Sequence, residues 1–225
     1  YMSEGFRGVK IVAYGNHGFS ISDCEKRVSA VRETLGIDGD VMIDAHGFLD
    51  VPTAANLSRR LEPYGLSWFE EPVSPDDLAG MAQLRTVAPM AIAAGESEFT
   101  RFGFRDMIEA KAVDIVQPDV GISGGITECR RIAAVASTYG IQFSPHGGSP
   151  ALMVAASLHL AGSIPNCNWF SVSPGRSPLT YELAQNPPLI KEGYAYVPSG
   201  PGLGVSLAPD FEKKFPYIDG PAYEQ

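Results

Sequence analysis

The chain has little cysteine, little positive charge and no long apolar run. Its three cysteines, Cys24, Cys129 and Cys167, are too few and too scattered for a disulfide framework, and none belongs to a CxxC metal motif. They read as reduced thiols of a cytoplasmic protein. Lysine and arginine number 17 against 26 aspartates and glutamates, a formal net charge of −9. A clustered basic surface that draws in phosphates is not expected, which excludes nucleic acid and anionic membranes and favours a small-molecule partner. No apolar stretch approaches the ~18 residues of a membrane span, and no charged-then-apolar leader pattern is found at the start. The GxGxxG fingerprint of a doubly wound nucleotide fold is missing too. GISGG at 121–125 lacks the lysine and spacing of a phosphate loop and reads as a strand-to-helix turn.

What is there is an alternation. With 225 residues, 44% hydrophobic and 19% charged, the chain suffices for one large α/β domain. The apolar run at 8–14 (GVKIVAY) precedes a helix with Ser22 and Glu25 as an expected capping box, Val28, Val31 and Leu35 on its apolar face and Gly36 as its stop. VMID at 41–44 leads to a helix with Leu57 and Leu61 inward and Gly65 at its end. LSWFEEP at 66–72 leads to a helix expected to start at Ser74 and Pro75 and to close near Pro89. MAIAAGE, VDIVQPD and IQFSPHGG each precede a further helix, and CNWFSV at 167–172 is a last strand. Seven strands joined by single helices imply right-handed βαβ units and a parallel sheet, and short apolar strands suit barrel staves.

An aspartate after a strand is ordinarily a turn former or a helix cap, and Asp44 alone would be read so. The pattern recurs, however. Asp44, Glu70 and Glu96 end consecutive strands, one βα unit apart. At the carboxyl ends of barrel strands such side chains converge on the face where chemistry occurs. Three carboxylates at one point repel one another and take up protons unless a hard divalent cation neutralises them. So few carboxylates, with places left for water and substrate, suit Mg²⁺ better than Ca²⁺ or Zn²⁺. The next two strand ends bring Asp119 and His146, able to set a carboxylate against an imidazole that it orients and makes more basic.

In that order, IDAHG, WFEEP, AGE, QPDVGISGGITE and SPHG resemble the enolase superfamily, and the His–Asp pair resembles its mandelate racemase subgroup, nearest the acid-sugar dehydratases of rhamnonate type. The resemblance implies a TIM-type (β/α) barrel, Mg²⁺ on Asp44, Glu70 and Glu96, and His146 with Asp119 as the general-base pair. It implies dehydration of a sugar acid by α-proton abstraction and β-hydroxyl elimination through an enediolate. Lys10 is expected either to steady the substrate carboxylate or to be a solvated strand-end lysine. His46 either touches the substrate or donates to a ligand. Ser171 falls where the family often carries a glutamate, and is a further substrate-side position. Glu71, next to a ligand on a strand, is expected to point the other way. His17 lies in a loop near the pocket, and His159, mid-helix, is structural.

Members that abstract protons from both faces carry Lys-x-Lys where this chain has Lys10, Ile11 and Val12. Loss of the second lysine favours dehydration over racemisation. The rival readings are a racemase or epimerase with His17 or Lys10 as a second acid/base, and an incomplete, non-catalytic barrel that keeps the metal motif. The family divides its labour with an N-terminal α+β capping domain. The barrel is accordingly expected over 1–173, opening at its second strand, with a tail over 174–225 that packs toward such a cap, in a homo-oligomer.

Overall fold

Six parallel strands, in sequential order, carry the site. The computed structural model describes residues 2–15, 18–147, 150–172 and 177–220. Strands β1 (Gly8–Val12), β2 (Asp40–Asp44), β3 (Trp68–Glu70), β4 (Ala91–Ala94), β5 (Ile115–Val116) and β6 (Gln142–Phe143) pair as β1-β2-β3-β4-β5-β6. They alternate with helices α1 (Ile21–Leu35), α2 (Val51–Leu61), α3 (Leu78–Arg85), α4 (Thr100–Glu109), α5 (Gly125–Thr138) and α6 (Ala151–Ala161). Parallel neighbours need a crossover, and one helix per crossover covers the outer face of the sheet.

Strands β2 to β5 are buried on both faces. Val41, Ile43, Phe69, Ile92 and Val116 pack outward against Val28, Leu57, Met81, Met107 and Ile132 of the helices in one continuous core. Met42, Trp68, Ala93 and Ile115 form a smaller inner layer, with Trp169 against it. Side chains alternate along a strand, so Asp44 stands one step above Met42 and Glu70 one step above Trp68. The register pairs Met42 with Trp68 and Asp44 with Glu70, which sets the two carboxylates side by side on top of the inner layer.

Several ends differ from expectation. Ser20 caps α1, its hydroxyl accepting from Asp23 N–H at 3.3 Å. The Ser22–Glu25 box does not form because Ser22 is already inside the helix; Glu25 instead accepts from Arg60 Nε at 2.8 Å. Helix α3 begins only after Asp77, which accepts from Gly80 N–H at 2.8 Å, while Ser74 and Pro75 belong to the preceding turn. Helix α2 runs into a single 3₁₀ turn, Glu62–Tyr64, closed by Gly65 at φ 58°, a left-handed conformation that costs glycine little. The seventh expected strand, CNWFSV, is reduced to one bridge between Phe143 and Cys167. Phe143 N–H donates to Asn166 O at 3.0 Å, but the next donor due on that side is Pro145, which has no N–H to continue the ladder.

Beyond the inner segment lie α7 (Pro178–Tyr181), a hairpin of β7 (Ile190–Lys191) and β8 (Tyr194–Ala195), and α8 (Phe211–Lys214). The hairpin turns on Glu192 and Gly193, at φ 53° and 75°, as a tight two-residue turn requires. It seats on the start of the chain. A Cβ at Gly193 would lie 1.9 Å from Gly5 O, and Arg7 Nη2 donates to Tyr194 OH at 3.0 Å. Part of the tail thus packs on residues 5–7; the expected boundary at 173/174 lies outside the described residues. All three cysteines are free. Among the described residues, no helix is long and apolar enough to cross a membrane.

Candidate active site

Lys10 reaches up from β1 to two of the strand-end carboxylates. Its Nζ donates to Asp44 Oδ2 at 3.0 Å and to Glu70 Oε1, and the side chain is only 23% exposed, so it is not a solvated lysine. Burial presses its pKa down, but Glu70 and Asp44 outweigh that and hold it above the ordinary value. Glu70 is buried, and its second oxygen, Oε2, accepts from the Trp68 indole N–H at 3.0 Å and from Gln117 Nε2 at 2.8 Å. Its pKa is nevertheless raised, by burial first and by Asp44, against the opposing pull of Lys10 and Gln117. The two shifts share a direction but not a cause, since burial leads for Glu70 and the two neighbouring carboxylates prevail for Lys10.

Glu96 arrives differently. It stands two residues past β4, after Gly95 at φ 122°, where an added Cβ would lie 2.6 Å from Phe104. That turn, open to glycine, brings a Glu96 oxygen within 4.8 Å of donor atoms of Asp44 and His46. Glu96 Oε2 is buried with no hydrogen bond. Glu71 does not point away as alternation predicts. Its φ of 35° breaks the strand, and its buried carboxyl lies among Glu96, Asp44 and Glu70. Burial, then Glu96, pushes it up to about 7, and Oε1 has no hydrogen-bond partner.

These features fit a divalent cation. Glu71 feels the charge of Glu96, Asp44 and Glu70, Lys10 reaches two of these four carboxylates, two carboxylate oxygens are orphaned, and the carboxylate donors are hard oxygens suited to Mg²⁺. Asp44, His46 and Glu96 offer donor atoms that all lie within 4.8 Å of one another, which brings two of the three expected ligands, Asp44 and Glu96, together with His46. Glu70 Oε2 is taken up by Trp68 and Gln117, which leaves Oε1, now facing Lys10, as the oxygen that a cation would share.

Next to this cluster lies the imidazole. His146 Nδ1 is 2.7 Å from Asp119 Oδ2, and Asp119 Oδ1 accepts from Gly121 N–H at 2.7 Å. His146 Nε2 stands 3.4 Å from Glu96 Oε2. Burial presses the imidazole toward neutrality, but the bond to Asp119 and the charge of Glu96 outweigh it and raise its pKa. Burial acts upward on Asp119, and the bonds from His146 and Gly121 more than reverse it, holding the carboxyl below its usual range. With Nδ1–H donated to Asp119, neutral His146 keeps the lone pair of Nε2 for a proton.

His46, at φ 46°, donates its N–H to Asp44 Oδ1 at 3.0 Å, with Nε2 3.4 Å from Asp44 Oδ2 and Nδ1 3.1 Å from Tyr14 OH. It therefore touches a candidate ligand directly. Lys10, Asp44, His46, His146 and Ser171 line a cavity of about 760 Å³ that runs along the open side of β1. A larger hollow of about 1110 Å³, between residues 2–6 and 177–192, holds none of these groups. His159 is structural, its Nε2 3.2 Å from Leu203 O, and His17 lies outside the described residues. Sequence reading missed Gln117 and Trp68. The signal was available, because Ile115, Gln117 and Asp119 alternate toward the interior as Gln142, Ser144 and His146 do.

The chain matches the family model for enolase C-terminal domain-like proteins over residues 1–211. It is 33% identical over 223 residues to a D-galactarolactone cycloisomerase of Agrobacterium fabrum, covering 95% of this chain and 57% of that protein. To an L-rhamnonate dehydratase of Saccharopolyspora erythraea it is 36% identical over 200 residues, covering 85% and 50%. The crystal structure of the 3,6-anhydro-D-galactonate cycloisomerase from Zobellia galactanivorans superposes with a TM-score of 0.86 at 32% identity, over 96% of this chain and 60% of that one. The chain thus spans a little over half the length of the relatives it matches. Barrel-like fold, strand-end carboxylates and these likenesses agree: the chain belongs to the enolase C-terminal domain-like family, and its relatives in the enolase superfamily include acid-sugar dehydratases and cycloisomerases.

Proposed function

We propose that the protein catalyses Mg²⁺-dependent dehydration of a sugar acid. The observation that carries the reading is the His146–Asp119 pair at 2.7 Å with Nε2 turned toward the carboxylate cluster. Asp44, Glu70 and Glu96 would hold the ion, with His46 beside Asp44. When bound, the ion supplies Lewis-acid stabilisation of the negative charge that develops on the substrate carboxylate.

His146 Nε2 takes the α-proton, and the C–H electron pair becomes the new C=C bond. The β-hydroxyl leaves, taking the proton back from His146, so that one water is released and the base is regenerated. Asp119 holds the imidazole in its tautomer and stabilises it while protonated. Lys10 contributes positive charge at the same carboxylates. Val12, register partner of Asp44 and 40% exposed, occupies the strand position where a second, opposing base would sit, and it has no acid/base group. A one-sided site favours elimination over racemisation. The test is His146→Asn in the protein assayed on a panel of aldonates. Both dehydration and exchange of the α-proton with solvent deuterium should vanish; exchange that persists moves the base elsewhere, to Lys10 first.

A further inference from the structure

The carboxylate of Glu70 is divided between two environments. Oε1 faces Lys10 and, beyond it, Asp44 Oδ2. Oε2 is turned inward and takes two neutral N–H donors, the Trp68 indole at 3.0 Å and the Gln117 amide at 2.8 Å. Neither donor is free to leave. Trp68 is 3% exposed and wedged edge-on against Trp169 at 6.2 Å between ring centroids. Gln117 is equally buried, and its own Oε1 has no partner. Turning the amide over would set that oxygen against Glu70 Oε2, lone pair to lone pair, so the donor orientation is locked.

We propose that Trp68 and Gln117 are positioning residues that hold Glu70 to single-oxygen ligation, and so set the preference of the site for a small octahedral dication over Ca²⁺. Mg²⁺ demands near-ideal octahedral geometry and takes one oxygen per carboxylate, whereas Ca²⁺ accepts six to eight oxygens and gains from a carboxylate that offers both. A Glu70 whose Oε2 is saturated has only one oxygen to give. Loss of either donor leaves Oε2 short of a hydrogen bond, and the carboxylate can then turn to present both oxygens. Groups that orient a ligand without touching the metal commonly change affinity by 10–100-fold.

This inference rests on the reading of Glu70 as a ligand, and titration calorimetry with Mg²⁺ and with Ca²⁺ separates the two. In Gln117→Leu and Trp68→Phe, which remove one donor each and keep the bulk, the Ca²⁺ to Mg²⁺ affinity ratio should rise by about tenfold over wild type. Circular dichroism establishes that each variant is folded, and either variant decides alone should the other fail to fold. An unchanged ratio, or equal weakening of both ions, overturns the inference while leaving Glu70 a ligand. Full Mg²⁺ affinity in Glu70→Gln overturns the ligand reading itself.

Discussion

Asp119 Oδ2 and His146 Nδ1 stand 2.7 Å apart although the residues are 27 positions apart in sequence. Adjacent strands β5 and β6 run in parallel register, Ile115 opposite Gln142, so residues four further on in each meet at the same height. A carboxylate can only accept from Nδ1–H, whereas an amide can also donate to Nδ1 and stabilise the wrong tautomer. Asp119→Asn should therefore keep the fold and lower the rate of α-proton exchange by up to about 10⁴-fold. Exchange followed by NMR, beside a circular dichroism spectrum, checks both halves.

The metal reading predicts a stoichiometry. Calorimetry should show one Mg²⁺ site, and Asp44→Asn or Glu96→Gln should remove it, since each takes a hard charged oxygen from a cluster already gathered within 4.8 Å. Undiminished binding in both variants would end the metal reading. Lys10→Met removes the ammonium bonded to both Asp44 and Glu70. That variant should depend more heavily on added Mg²⁺ for its thermal stability than wild type does, because the buried carboxylates lose the positive charge that Lys10 places between them.

Glu71 makes the metal-free protein sensitive to pH. Its folded pKa is raised from 4.5 to about 7, so between those values the folded state binds a proton that the unfolded chain has released. Folding is favoured by this group at low pH, and the advantage is lost as pH rises from 4.5 through about 7. The loss is on the order of 3 kcal/mol for a buried group shifted so far. In the presence of chelator, urea denaturation should show stability falling over this range, with a shallower fall in Glu71→Gln. Identical profiles for the two proteins would show that Glu71 is ionised throughout.

Much of this was legible in the sequence because a barrel writes its active face at a fixed phase: a carboxylate or imidazole after each of five consecutive apolar runs. Asp44 and Glu70 sit in strand register, and alternation alone places them. Glu96 lies past its strand, but AGE marks the glycine turn that carries it inward. Glu71 was misread because alternation presumes extended backbone, and its φ of 35° is not extended. Gln117 was passed over because an uncharged amide gives no chemical signal until its partner, Glu70, is seen 2.8 Å away. The missing seventh strand turns on Pro145, whose ring removes the donor that a ladder beyond Phe143 needs. Its proximity to His146 made SPH read as a site motif rather than as a ladder's end.

Among the described residues, strand β1 lies at the edge of the sheet, with β2 as its one partner. In a parallel pair, the N–H and C=O of a given residue point to the same side, and the side alternates along the strand. Arg7 O accepts from Asp40 N–H at 3.0 Å and Ala13 N–H donates to Asp44 O at 2.6 Å, so residues 7, 9, 11 and 13 face β2. The amides of Gly8, Lys10 and Val12 then face the 760 Å³ cavity on the other side, across which stand Asn168, Phe170 and Ser171. Hydrogen exchange should divide the strand by parity, with Val9, Ile11 and Ala13 protected and Gly8, Lys10 and Val12 exchanging at least about tenfold faster. An open edge of this kind pairs readily with another extended chain. Equal protection across all six amides would mean that a backbone partner covers the outer side of β1 in solution, and dependence of that protection on protein concentration would identify the partner as a second copy of this chain.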